Sequence, residues 1–144
     1  MHNKEMLDKL ASSFGTALKI EGDNFYDILV IENDKLHELC NVLKEEWGFN
    51  YLVNLSAVDF KDRFEVIYHI HSIPENNKIA VKTLLNRDEA SVATVSDIWK
   101  TADWQEREVF DLMGITFTGH PNLIRILLPD DFDGHPLRKD FKLN

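Results

Sequence analysis

Carboxylates and histidines gather near the C-terminal end of this 144-residue chain. Glu106, Glu108 and Asp111 have the side chains for acid–base chemistry, and His120 and His135 can carry protons near neutral pH. Glu106 and Glu108 are two positions apart, so on a helix they point to different sides and do not form a pair. Neither histidine has a nucleophile in a recognisable local arrangement, although a triad built from distant residues stays open. The sequence therefore disfavours independent catalysis, and we assign no catalytic residue.

Metal or cofactor binding is the second chemistry to consider. His69 and His71 alternate along a β-type run, so they share one strand face, a spacing that some metal sites use, but nothing nearby supplies a third ligand. The single cysteine, Cys40, lies in an apolar helical stripe and is expected to be a core thiol. There is no glycine fingerprint for a dinucleotide and no phosphate loop. We expect no cofactor in this chain, and a free-standing metal-dependent enzyme is the least favoured interpretation.

The composition is that of one globular domain. The chain is 44% hydrophobic and 28% charged, and no apolar run approaches the roughly 20 residues that cross a bilayer. The N-terminal residues lack the basic end and apolar stretch of a secretion signal, which predicts a protein that is soluble by itself. A net charge of −9 argues against nucleic acid as a partner.

A short helix is predicted from Asp103 to Gly114. Asp103 and Glu106 have the spacing of a capping box, and Gly114 suits the left-handed residue that commonly ends a helix. Arg107 and Asp111 are one turn apart and are expected to pair. We interpret these two residues as internal struts that hold the following chain to the domain.

After this helix comes an extended segment, called here the C-terminal tail (residues 119–144). It contains the tripeptide Gly-His-Pro at 119–121 and again at 134–136, and it ends in a basic stretch. A segment with such glycine and proline punctuation and little periodicity is usually ordered against another surface. We therefore predict that the tail contacts a partner through His120, Arg125, His135, Arg138 and Lys139.

The rest of the chain has the pattern of an α+β domain. Helices are predicted over 4–14 and 36–47. The second helix is preceded by capping side chains in Glu32-Asn33-Asp34 and ended by Gly48. Its apolar stripe consists of Leu36, Leu39, Cys40, Leu43 and Trp47. Strands are predicted over 17–20, 25–31, 49–60, 63–73 and 78–85, with turns at Gly22-Asp23-Asn24 and Lys61-Asp62 and a short turn capped by Ser96. This order predicts a two-layer fold with helices on one face of a mixed or antiparallel sheet. We divide the single domain into an α+β core over 1–102 and the signature helix and partner-binding tail over 103–144.

The C-terminal region resembles the 30 kDa subunit of respiratory NADH-quinone oxidoreductase, which is also called complex I. The matching residues are Glu106-Arg107-Glu108, Asp111-Leu112, Gly114-Ile115, Gly119-His120-Pro121, Arg125-Ile126-Leu127 and Gly134-His135-Pro136-Leu137-Arg138-Lys139-Asp140. One departure is Ile124, which stands where the resemblance implies a basic residue beside Arg125.

The resemblance implies a subunit that has no redox centre of its own. In that family FMN, iron–sulfur clusters and quinone belong to partner subunits, and this subunit positions the quinone-site and iron–sulfur subunits of the peripheral arm. The assembly passes electrons from NADH to quinone and couples this to ion translocation, so the expected location is the cytoplasmic side of the cell membrane, reached only through the complex. Equivalent subunits of membrane-bound nickel–iron hydrogenases and of ferredoxin- or F420-linked complexes are the nearest alternative.

Overall fold

A computed structural model of the protein describes residues 3–22 and 27–142. The helices are α1 (Lys4–Phe14), α2 (Leu36–Trp47) and α3 (Ala102–Met113), with 3-10 turns at Gly15–Ala17 and Asn33–Lys35. The strands are β1 (Leu18–Gly22), β2 (Asp27–Ile31), β3 (Tyr51–Asp59), β4 (Arg63–Ser72), β5 (Asn77–Asn86), β6 (Ser91–Ala93) and β7 (Thr116–Thr118). Asp23 and Asn24 of the predicted first turn, and the start of the predicted strand 25–31, lie outside the described residues.

The main sheet has five strands in the order β1-β2-β5-β4-β3. β2 and β5 run parallel and the other neighbours antiparallel, so the predicted mixed sheet is confirmed. Alternate residues of β4 from Phe64 to Ile70 are fully buried and pack with the apolar stripes of α1 and α2 in one core. This confirms the two-layer α+β fold.

Local turn and helix-end signals mostly hold. Lys61 has a φ of 74° in the β3–β4 turn, and Gly48 has the same φ at the end of α2, where its amide bonds to the carbonyls of Leu43 and Lys44. The predicted cap of α2 is wrong, because no side chain caps that helix. Asn33 instead donates from its side-chain amide to the carbonyl of Ser91, 2.8 Å away, which ties the start of α2 to β6.

The core differs from the prediction at one aromatic residue. Trp47 is only half-buried, at the side of α2 that faces α1, whereas Phe49 and Trp99 are buried. The Trp99 indole N–H donates to the carbonyl of Phe49 at 2.9 Å, so the burial of this polar atom is compensated. Cys40 is fully buried, as predicted, and burial raises the pKa of its thiol well above the usual range.

A second, two-stranded sheet was not predicted. β6 and β7 pair in parallel, and the amide of Thr94 continues the ladder to the carbonyl of Thr118 at 2.8 Å. The turn that follows is capped by the Thr94 hydroxyl, which accepts from the Ser96 amide at 3.0 Å, so the expected role of Ser96 is wrong. Three-residue strands joined across a helix leave too short a pattern for sequence reasoning to find. They position the chain on both sides of α3.

His69 and His71 are half-buried on the face of β4 opposite the core, so they share one strand face as predicted. Within 3–22 and 27–142, no group of three or more His, Cys, Asp or Glu side chains is placed to hold a metal ion.

Candidate functional site

Helix α3 begins two residues earlier than a cap at Asp103 would require. Thr101 is the N-cap residue and makes no side-chain cap, so the predicted capping box is wrong. Asp103 lies in the first turn, and its carboxylate accepts from Nε2 of His120 at 3.0 Å. Nδ1 of His120 accepts from the amide of Asn122 at 2.9 Å, which assigns the proton of the neutral ring to Nε2. The first Gly-His-Pro copy is thus held to the start of α3.

Glu106 points into the domain rather than back along its own helix. It is fully buried and accepts hydrogen bonds from the Val95 amide, at 2.8 Å, and from the Thr94 hydroxyl. Burial raises the pKa of this carboxyl to about 7, against the lowering effect of those two hydrogen bonds. Tertiary burial has overridden the local capping pattern. Glu106 therefore fastens α3 to the end of β6.

Asp111 is the centre of the site. It is fully buried, and its Oδ2 accepts from three consecutive tail amides, those of residues 126–128, at 3.1, 2.7 and 3.1 Å. Its Oδ1 pairs with Nη1 of Arg125 at 2.8 Å. Burial by itself would raise the pKa of Asp111, but the three amides and the guanidinium outweigh burial and hold the pKa below its usual value. A ring of donors around one carboxylate fixes the middle of the tail.

The predicted pair of Arg107 and Asp111 does not form. Nε of Arg107 donates instead to the carbonyl of Ile124 at 3.3 Å, and its guanidinium lies 5.3 Å from the centre of the Trp104 ring. Arg125 makes the ion pair that the spacing had suggested for Arg107, and it also donates to the Gly134 carbonyl at 2.8 Å. Arg107 is still a strut between α3 and the tail, through a different atom.

Gly114 and the tail together satisfy the C-terminal carbonyls of α3, which have no partner within the helix. The Phe110 carbonyl receives the Gly114 amide at 2.9 Å, in the left-handed cap that was predicted. The next three carbonyls, of residues 111–113, receive Nδ1 of His135 at 2.9 Å, the Leu137 amide at 2.9 Å and Nη1 of Arg138 at 3.5 Å. Cationic groups at this end of a helix are further favoured by its dipole. The second Gly-His-Pro copy is therefore part of the helix cap.

Gly114 is needed for this contact as well as for its backbone angle. Its φ is 74°, and a Cβ added there would lie 2.7 Å from Cδ2 of His135. Such a distance is shorter than van der Waals contact allows, so the imidazole ring packs directly on the glycine. The ring also lies 6.2 Å from that of Phe110.

A second carboxylate, missed by sequence reasoning, holds the end of the tail. Asp59 at the end of β3 is buried, pairs with Arg87 and accepts from the Lys139 amide at 2.7 Å. The Arg87 hydrogen bonds are the main reason that the pKa of Asp59 lies far below its usual value. Arg87 also reaches Asp140 at 3.3 Å. Asp59 and Arg87 are far in sequence from the signature residues Lys139 and Asp140, so no local signal could have identified these contacts.

The outer surface of the site is more apolar than predicted. The exposed apolar side chains around α3 and the tail, called here the apolar set, are Trp104, Ile124, Leu127 and Leu137, each about half exposed. Lys139 is exposed, while Glu108 is half-buried and accepts from the Trp104 indole at 3.1 Å. Arg125, His135 and Arg138 have partners within the chain, and their assignment as partner contacts stays a prediction. The tail backbone is hydrogen-bonded to the domain at residues 126–128, through Asp111, and at Lys139, through Asp59.

The fold defines a class of small α+β protein that two solved structures share. The structure resembles the trypsin-resistant fragment of Nqo5, with a TM-score of 0.75, 26% identity and coverage of 85% of this chain and 100% of that one. It also resembles a chain of the membrane-bound sulfane sulfur reductase, an archaeal respiratory membrane complex, with a TM-score of 0.83, 25% identity and coverage of 99% and 87%. In the described residues no helix is both long and apolar enough to span a membrane.

The chain belongs to the family described as respiratory-chain NADH dehydrogenase, 30 Kd subunit, whose model matches residues 29–144. The NADH-quinone oxidoreductase subunit designated C of Moorella thermoacetica is 51% identical over 117 residues, covering 80% of this chain and 79% of that protein. The subunit of the same designation from Geotalea uraniireducens is 41% identical over 142 residues, covering 96% and 85%. The family predicted from the signature residues is thereby confirmed.

Proposed function

We propose that this chain is a non-redox subunit of an NADH-quinone oxidoreductase, and that it positions the quinone-site and iron–sulfur subunits beside one another. The observation that carries this proposal is the tail. Two buried carboxylates, Asp111 and Asp59, hold it on the domain, so its outer surface is formed before any partner binds. A surface that is ordered in advance loses less conformational entropy on docking.

The apolar set supplies the docking surface in this proposal. Trp104 and Leu137 are 54% and 58% exposed, although large apolar side chains gain most from being covered. Tryptophan and arginine are the residues that most often contribute strongly to binding at protein interfaces, and Arg107 lies over the Trp104 ring. Two members of the set, Leu127 and Leu137, are themselves among the residues that carry the family resemblance.

The proposal places the electron carriers in the partner subunits. It is supported by the sequence, which has one cysteine, buried in the core, whereas iron–sulfur clusters are usually held by several cysteine thiolates. FMN, the clusters and quinone would then be held by other subunits of the peripheral arm, on the cytoplasmic side of the membrane. This chain would take part in NADH oxidation by quinone, and in the coupled ion translocation, through assembly alone.

The test is purification of the intact assembly. The chain is tagged in its host, the membranes are solubilised gently, and co-purifying subunits are identified by mass spectrometry together with the NADH–quinone activity of the sample. Flavin, iron–sulfur and quinone-site subunits with that activity are the expected result. Recovery of the chain by itself would contradict the proposal.

A second candidate is the equivalent subunit of a related respiratory complex. It is favoured by the similarity to the sulfane sulfur reductase chain, which extends over 99% of this chain. The same purification separates the two: a nickel–iron hydrogenase subunit or a ferredoxin- or F420-linked subunit, in place of the NADH-oxidising ones, would assign this chain to the second class.

A further inference from the structure

Helices α1 and α2 leave an open groove of about 620 Å³ between them, on the part of the domain that carries Trp47. Leu10, Phe14, Val42 and Trp47 give this α1–α2 groove apolar walls. Phe14, Val42 and Trp47 pack against the core yet keep part of their surface exposed. Helix α1 lies before residue 29, where the family-model match begins, whereas α2 lies within the match.

Of the charged side chains that line the α1–α2 groove, some are paired and others are not. Asp8 is paired with Lys4 at 3.1 Å, and Lys9 is paired with a neighbouring glutamate at 3.6 Å and lies 5.6 Å from the Trp47 ring centre. Glu38 and Glu46 also line the groove, and both are exposed with no hydrogen-bond or ion-pair partner among the described residues. The groove therefore presents two uncompensated carboxylates.

These carboxylates have a defined spacing. Glu38, Val42 and Glu46 follow at intervals of four on α2, so they form one stripe along the helix. Eight residues of helix correspond to about 12 Å, which places one carboxylate toward each end of the apolar wall. The same distance separates residues about seven or eight positions apart on a second helix laid in the groove. Charge and spacing together indicate that a helix bound in the groove would carry basic side chains about seven or eight positions apart.

We propose that the α1–α2 groove binds an amphipathic helix of another subunit of the assembly, which carries lysine or arginine two turns apart on either side of an apolar stripe. The basic groups pair with Glu38 and Glu46, and an apolar side chain packs on Trp47. A second copy of this chain is disfavoured because it brings a net charge of −9 toward an acidic rim. The inference rests on the proposed function only in taking the partner from the same assembly.

The experiment uses the tagged chain in its assembled state. A photo-crosslinking p-benzoylphenylalanine replaces Ser13, an exposed residue of the groove, or Glu75, an exposed residue of the β4–β5 turn as the control site. After illumination of the purified assembly, the crosslinked peptide is sequenced by mass spectrometry. The expected result is a peptide from a partner subunit with basic residues about seven or eight positions apart, obtained from position 13 and not from position 75.

Charge reversal supplies the matched control. Glu38→Lys with Glu46→Lys should lower the crosslink yield about tenfold, since like charges then face each other. Glu32→Lys with Glu45→Lys changes the net charge equally at exposed positions outside the groove and should lower the yield by less than about twofold. Melting temperatures of both double variants show that each has folded.

Equal yields from the two double variants, a crosslink to a second copy of the chain, no crosslink, or a peptide without basic residues would each overturn the inference. Identifying the proteins in the same sample distinguishes a failure of the groove inference from a failure of the proposed function. If partner subunits are recovered and the groove fails to capture one, only the groove assignment is wrong. If no partner is recovered, both are wrong.

Discussion

Replacing Asp111 by asparagine keeps the shape of the side chain and removes the charge that gathers the tail. The carboxylate accepts from the amides of residues 126–128 and from Arg125, whose side chain is only 12% exposed. Hydrogen bonds to a charged group contribute about 1.5–3 kcal/mol, and a buried guanidinium that loses its counter-ion raises the cost to about 3–5 kcal/mol. We expect Asp111→Asn to lower the free energy of unfolding by about 3 kcal/mol, because Arg125 keeps its bond to the Gly134 carbonyl.

Two assays measure this effect. Thermal unfolding should shift down by about 10 °C, at roughly 3 °C for each kcal/mol in a domain of this size. Trypsin should cut after Arg125 and Arg138 faster in the variant than in the wild type, because the variant no longer holds the tail on the domain. Glu108→Gln on the same helix is the control and should change stability by less than about 0.5 kcal/mol. A variant that melts within about 2 °C of the wild type with an unchanged trypsin pattern would refute the role of Asp111.

The pH dependence of this difference follows from the pKa. Since the folded-state pKa of Asp111 lies below its unfolded value, the stabilisation is present above about pH 4 and is lost as the pH falls through the folded-state pKa. The gap between wild type and Asp111→Asn should therefore be widest near neutral pH and narrow in acid. A constant gap would mean that the ionised carboxylate is not the stabilising species.

Four further substitutions test other parts of the account. Gly114→Ala and Gly48→Ala start from the same φ of 74°, but only the first adds a Cβ close to His135. In urea unfolding, Gly48→Ala should lower the free energy of unfolding by about 1 kcal/mol and Gly114→Ala by about 2–3 kcal/mol. Equal losses would contradict the packing of the His135 ring on Gly114. Burial raises the pKa of Glu106 to about 7. The free energy of unfolding of the wild type should therefore fall by roughly 3 kcal/mol as the pH rises from about 4.5 to 7, and then level off. Glu106→Gln should lack this slope when thermal unfolding is measured at several pH values. Trp47→Ala should cost about 1–2 kcal/mol because the side chain is half-buried, and a loss above about 3 kcal/mol would place it in the core.

Elements with a local cause could be predicted from the sequence. A glycine in the left-handed conformation ends a helix because no Cβ opposes that backbone angle, and both Gly48 and Gly114 do so. The β3–β4 turn and the buried face of β4 were likewise visible, because turn residues and a period of two depend only on neighbours in the chain.

The site could be predicted as a segment but not as a set of contacts. The spacing of Arg107 and Asp111 favours a pair, yet three tail amides and Arg125 compete for the same carboxylate and provide more hydrogen bonds. Glu106 fits a capping box, yet burial against β6 takes its place. The contact between the Lys139 amide and the Asp59 carboxylate spans 80 residues of sequence, and such long-range pairings leave no local pattern.

The central claim is that the folded tail presents the apolar set to partner subunits. Leu127 and Leu137 are 55% and 58% exposed, so Leu127→Asp with Leu137→Asp should leave the melting temperature of the chain nearly unchanged, and Ile73→Asp at a 52% exposed position away from the tail is the control. The measurement is the amount of partner protein recovered with the tagged chain from solubilised membranes. We predict that recovery falls at least about tenfold for the double variant and stays at the wild-type level for the control. Wild-type recovery with the double variant would contradict the claim.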